Sequence, residues 1–124
     1  MINEADLVAF VPATDLDRAR KFYEGVLGLT VESENPFACV FRSHGTMLRV
    51  TKVDSLSPQP FTVLGWSVVD IDATARELAG KGVEPLRYDG MGQDDLGIWT
   101  TPDGSKVLWF NDPDGNTLSV TQHA

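Results

Sequence analysis

Residues 7–29 read LVAFVPATDLDRARKFYEGVLGL, and this stretch decides the fold. Leu7 to Val11 is an apolar, β-prone run that Pro12 closes. Thr14-Asp15-Leu16-Asp17 then predicts a helix start with Thr14 or Asp15 as N-cap. A short oxygen-bearing side chain there accepts a hydrogen bond from a backbone N–H that the helix leaves orphaned, and acids in the first turn suit the helix dipole. Leu16, Ala19, Phe22, Tyr23, Val26 and Leu27 recur at helical spacing, so one face is buried. Gly28 is a natural stop. Three strands are predicted next, Leu29 to Ser33, Phe37 to Arg42 and Thr46 to Val53. Asn35-Pro36 and Ser43-His44-Gly45 supply the turns.

The pattern then restarts. Residues 54–60 are polar and Pro-rich and read as a linker. Phe61 to Val68 predicts a strand, and Asp70-Ile71-Asp72 opens a second helix whose buried face carries Ile71, Ala75, Leu78 and Ala79. Gly82 stops it. Val83 to Tyr88 predicts a strand, and Asp89 to Asp95 a Gly-containing loop placed either as a lid or as a mobile connection. Leu96 to Thr101 and Ser105 to Asn111 flank a Pro102-Asp103-Gly104 turn. Asp112-Pro113-Asp114-Gly115-Asn116 precedes the last strand, Thr117 to Gln122. Strand, acidic cap, helix, glycine and strand thus occur in the same order in both halves, which points to an internal repeat.

Bulk properties bound the function. The chain has 124 residues, 42% of them hydrophobic, so one domain with a real core is expected. A net charge of −8 argues against nucleic acid or an anionic membrane as partner, since both select clustered Lys and Arg. No apolar run approaches the ~20 residues of a membrane span. The N-terminus lacks a signal-peptide pattern, and the lone Cys39 excludes an internal disulfide. A reducing, cytoplasmic setting is the simple expectation. Cys39 itself reads as a small buried hydrophobe, and His44 and His123 as solvated surface.

Three stretches resemble the vicinal oxygen chelate (glyoxalase/bleomycin-resistance/dioxygenase) superfamily. Residues 15–29 are similar to its first-helix signature, D-L-x-x-A/S-x-x-F-Y-x-x-x-L-G-L. Val63 to Asp72 is similar to the strand and cap that open the family's second module, and Phe110 to Asn116 to its F-x-D-P-D-G-N turn. The resemblance implies an α+β fold of two βαβββ modules, about residues 5–53 and 61–122, whose curved mixed sheet surrounds a cavity with the helices on the outer face. It also implies a homodimer. It does not fix the reaction, because the superfamily holds isomerases, dioxygenases, thiol transferases and drug-sequestering resistance proteins.

Metal-using members carry His or Glu at four strand positions. Counting from the caps and the last turn, the corresponding residues here are Val8, Arg49, Val63 and Ser119. Two valines and a cation make no ligand set for a divalent ion, so neither metal nor other cofactor is expected. Strand alternation places Phe10 with Val8, Gly65 and Ser67 with Val63, and Thr117 and Thr121 with Ser119. It sends Leu7, Ala9, Val11, Leu64, Trp66, Val68, Leu118 and Val120 under the helices. Pairing across the Asp112–Asn116 turn sends Leu108 and Phe110 the same way and turns Trp109 and Asn111 to the cavity, and Trp99 is expected to join them. The expected ligand-binding residues are therefore Phe10, Arg49, Ser67, Trp99, Trp109, Asn111 and Ser119. An apolar or anionic small organic molecule suits them, with Arg49 supplying a bidentate grip on a carboxylate. Two enzymatic alternatives stay open. One is metal-free chemistry by Arg49, Ser119 or Ser67; the other is a lyase, isomerase or dioxygenase with a metal site in a different register.

Overall fold

A computed structural model describes all of residues 1–124. The chain divides into two compact units, Met1–Ser57 and Pro58–Ala124, each with one main helix and one four-stranded mixed sheet; a short 3-10 turn, Ile2–Glu4, precedes the first. This is the α+β, twice-repeated βαβββ arrangement expected from the sequence.

In the first unit, β1 (Val8–Ala13) leads into α1 (Leu16–Arg20), which runs on as a π-helical segment, Lys21–Val26. Asp15 is the N-cap, its carboxylate accepting the Arg18 N–H at 3.1 Å. The wider π turn draws neighbouring side chains closer in azimuth, so Phe22 and Tyr23 are both buried, their rings edge to face at 5.2 Å. Gly28 ends the helix at a φ of +76°, where glycine carries no steric penalty. Strands β2 (Thr30–Asn35), β3 (Ala38–Ser43) and β4 (Thr46–Lys52) follow as a meander, and β4 returns parallel to β1, giving the order β1-β4-β3-β2. Val11, Ala13, Cys39, Phe41, Leu48 and Val50 pack the helix side and are all but inaccessible.

The second unit repeats the plan. Strand β5 (Thr62–Ser67) precedes α2 (Ile71–Gly80), capped by Asp70, whose carboxylate accepts the Ala73 N–H at 3.1 Å. Strands β6 (Trp99–Thr100), β7 (Lys106–Asn111) and β8 (Thr117–Gln122) give the order β5-β8-β7-β6, with β5 parallel to β8. Ile71, Ala75 and Leu78 of α2 bury themselves on the side that carries Leu108, Phe110, Leu118 and Val120.

Several expectations change. Val83 to Tyr88 is not a strand. Pro85 lacks an N–H, and the Gln93 side chain takes two groups a partner strand would need. Its amide nitrogen donates to the Leu86 carbonyl at 2.8 Å, and its oxygen accepts the Tyr88 N–H at 2.7 Å. Strand β6 shrinks from the expected Leu96 to Thr101 to two residues, because Asp94 folds the chain first. One Asp94 carboxylate oxygen accepts the N–H groups of Leu96 and Ile98, both at 2.9 Å. Leu7, expected in the core, lies before β1 begins and is 79% exposed. Leu64, Trp66 and Val68 are only half-buried.

Candidate ligand-binding faces

Each sheet has a second face, away from its helix, and the predicted site residues fall on these two faces. In the first unit, register places Arg49 of β4 between Phe10 of β1 and Val40 of β3. Phe10 is 63% exposed, an unusual position for a phenylalanine in a sheet. Arg49 is half-buried and makes no hydrogen bond or ion pair within the chain. The other strand arginine of this unit, Arg42, is paired, its Nε lying 3.1 Å from Glu32.

In the second unit, Ser119 of β8 pairs with Trp109 of β7 on one side and with Gly65 of β5 on the other. One pair along, Asn111 faces Thr117, which faces Thr62; in the other direction, Val107 faces Thr121, which faces Ser67. Trp99 pairs with Val107, and its ring stacks on Trp109 with centroids 6.0 Å apart and planes 27° apart. Ser67, Trp99, Trp109, Asn111 and Ser119 therefore share one face, and Trp99 settles beside Trp109. A β-bulge between Thr62 and Leu64 breaks the alternation there. It takes Val63 out of the row and puts Thr62 opposite Thr117, a switch that no sequence pattern announces.

Gly65 has a specific steric role on this face. A Cβ at that position would stand 2.9 Å from the Ser119 hydroxyl and 3.3 Å from the Ser119 carbonyl. The absent side chain thus leaves room for a Ser119 hydroxyl that makes no hydrogen bond to any other side chain.

Tyr88, Asp89 and Met91 join this face at a cleft, and sequence reasoning did not place them there. The Tyr88 ring meets Trp109 edge to face at 5.5 Å, so Trp109 is braced from two directions. Pro60, Phe61, Thr62, Tyr88, Asp89, Met91, Trp109 and Thr117 line an open cleft of about 450 Å³. The loop that supplies its wall is stapled down. Arg87 donates to the Asp94 and Asp95 carbonyls at 3.0 and 2.8 Å, and the Gln93 amide also reaches the Gly97 carbonyl at 2.7 Å. The Leu86 N–H binds the Trp109 carbonyl at 2.8 Å, tying this wall to β7. Spacing alone could not reveal it, since these bonds depend on side chains that replace a strand partner.

No three His, Cys, Asp or Glu side chains come together in a metal-binding group. His44 occupies the β3–β4 turn at a φ of +46°, and His123 lies beyond β8. Cys39 is 1% exposed; burial, reinforced by the Glu34 carboxylate, pushes its thiol up from the ordinary range, so it is a poor nucleophile. No helix is long and apolar enough to cross a membrane.

Solved structures with this fold are numerous. An antibiotic binding protein, TnmS3, from Streptomyces sp. CB03234 is 24% identical with a TM-score of 0.75, over 100% of this chain and 99% of its own. Lactoylglutathione lyase from Agrobacterium tumefaciens is 21% identical with a TM-score of 0.74, over 96% and 93%. TioX from Micromonospora sp. ML1 is 17% identical with a TM-score of 0.73, over 97% and 99%. No curated protein matches. At these identities the likeness establishes the fold alone. The sequence profile of the superfamily matches residues 5–120, nearly the whole chain, so the protein belongs to the glyoxalase/bleomycin resistance protein/dioxygenase superfamily.

Proposed function

We propose that this protein binds a small organic ligand, apolar or anionic, without a metal ion or other cofactor. The observation that carries this reading is the stacked Trp99–Trp109 pair on an open sheet face beside the free Ser119 hydroxyl. Large, rigid aromatic surfaces left half-exposed beside a few hydroxyls are the usual composition of a small-molecule site. On the first unit's own face, Arg49 favours an anion, because a half-buried guanidinium without a partner gains most from a carboxylate. The ligand-contacting residues in this reading are Phe10, Arg49, Ser67, Trp99, Trp109, Asn111 and Ser119. The positions where metal-using relatives carry ligands hold Val8, Arg49, Val63 and Ser119, which do not fit a divalent ion. The similarity to a protein described as antibiotic binding is compatible with sequestration as the role. In the same reading the protein is a cytoplasmic homodimer, which would cover apolar side chains left bare, such as Leu7.

The test is titration of the protein with anthracene-9-carboxylate, followed by tryptophan fluorescence, with elemental analysis of protein purified without a metal-affinity column. Saturable quenching that survives chelator is expected, and Trp109→Leu should weaken it by more than about tenfold. One divalent metal per chain, or binding abolished by chelator, would overturn the reading.

A further inference from the structure

The cleft in the second unit has a feature that an apolar or anionic ligand does not use. Its walls are the aromatic rings of Phe61, Tyr88 and Trp109 with the thioether of Met91, and its one ionisable group with a formal charge is Asp89. Asp89 makes no hydrogen bond and no ion pair. The neighbouring acid Asp94 is consumed in folding the loop, its carboxylate holding the Leu96 and Ile98 N–H groups. Among the loop's carboxylates that line this cleft, Asp89 is thus unspent. A ring face is electron-rich and attracts a cation, most strongly at tryptophan, and an adjacent carboxylate adds to that attraction while repelling an anion. Flatness follows from the walls: Trp109, fixed between Trp99 and Tyr88, offers a platform that a flat ring system covers with least loss of freedom. The loop bonds through Arg87, Gln93 and Asp94 fix the wall in advance, so binding need not order it.

We propose that the cleft lined by Phe61, Tyr88, Asp89, Met91 and Trp109 binds a planar aromatic cation, such as a protonated heteroaromatic amine. The proposal rests on the reading that the aromatic face of the second unit binds small organic molecules, and it names the ligand class for this cleft. Arg49 stands on the other unit's sheet and plays no part in it.

Proflavine, a flat cation, is compared with anthracene-9-carboxylate, a flat anion, and with tetraethylammonium, a cation without a ring, using the intact chain. Proflavine should quench tryptophan fluorescence saturably and with an affinity that falls as salt rises. Asp89→Asn should weaken proflavine about fivefold, as expected for one exposed charge pair, and leave anthracene-9-carboxylate unchanged or tighter. Trp109→Leu should weaken proflavine by more than tenfold, with far-UV circular dichroism reporting that the variant is folded. Tetraethylammonium should not compete. Proflavine binding that ignores Asp89→Asn would overturn the cation assignment while leaving the aromatic platform in place, and competition by tetraethylammonium would overturn the requirement for a flat ring. Quenching by neither flat probe would overturn the platform reading and this inference with it.

Discussion

The two modules start alike and part company after the helix. Each begins with a strand, an aspartate cap and a helix closed by a glycine at positive φ, Gly28 in one and Gly82 in the other. Then module one lays down β2, six residues of which all but the bulged Glu32 pair with β3, whereas module two spends residues 81–98 on a loop and keeps only two residues of β6. A paired strand presents a regular surface; a loop can carry side chains to positions that no strand register reaches. Here the loop brings Tyr88, Asp89 and Met91 to the cleft beside Trp109. One repeat has a paired sheet edge, held by Arg20–Glu34 and Arg42–Glu32 pairs, and the other has in its place a loop that walls the cleft.

The strongest way to break that contrast is through glycine. Gly97 sits at a φ of +88°, and a Cβ there would lie 2.5 Å from Cβ of Pro85. Gly28, at +76°, has nothing within 4 Å. Gly97→Ala combines backbone strain with a clash against a rigid ring and should cost about 3 kcal/mol, whereas Gly28→Ala should cost about 1 kcal/mol. Urea unfolding of both variants measures the difference. Equal losses would mean that the loop of module two is not rigidly packed.

The caps sharpen the shared part of the comparison. Asp15 and Asp70 make the same bond at the same length, 3.1 Å. Asp15→Ala and Asp70→Ala should each destabilise by about 1 kcal/mol, and together by about the sum, because the sites share no partner. Denaturant midpoints of the two single variants and the double variant check this.

The smallest expected effect separates two turns. Asn35 closes the β2–β3 turn, its side-chain oxygen accepting the Phe37 and Ala38 N–H groups at 2.8 and 3.1 Å. Asp103 serves the β6–β7 turn, accepting the Ser105 N–H at 3.0 Å and the Thr101 hydroxyl. The Thr101 hydroxyl, followed by the Ser105 N–H, holds the Asp103 carboxyl below the ordinary carboxylate range. Because the folded value is the lower one, the contribution is present above the unfolded-state pKa and fades as pH falls through the folded one. Asp103→Asn should therefore flatten the acid side of the stability profile slightly, below about pH 4. Asn35→Asp should introduce an acid dependence at the β2–β3 turn. Thermal melts from pH 2 to 7 would show both changes.

Much of the fold was legible because it is written in local chemistry. Asp15 and Asp70 cap, Gly28 and Gly82 stop, and the apolar period of residues 16–27 fixes a buried helix face, each acting over a few neighbouring residues. Alternation along β7 and β8 also placed Trp109 and Ser119 on the open face and Leu108, Phe110, Leu118 and Val120 on the buried one. Legibility ended where a side chain replaced a backbone partner. Gln93 and Asp94 turn an expected strand into a wall, and the bulge at Val63 moves Thr62 onto the Trp109 face. By itself the sequence determined the superfamily, the module order and the sheet faces, since caps, stops and alternation are short-range. Only the tertiary structure decided the cleft. Its walls are drawn from residues 60–62, 88, 89, 91, 109 and 117, which are far apart in the chain and meet through bonds that no periodicity encodes.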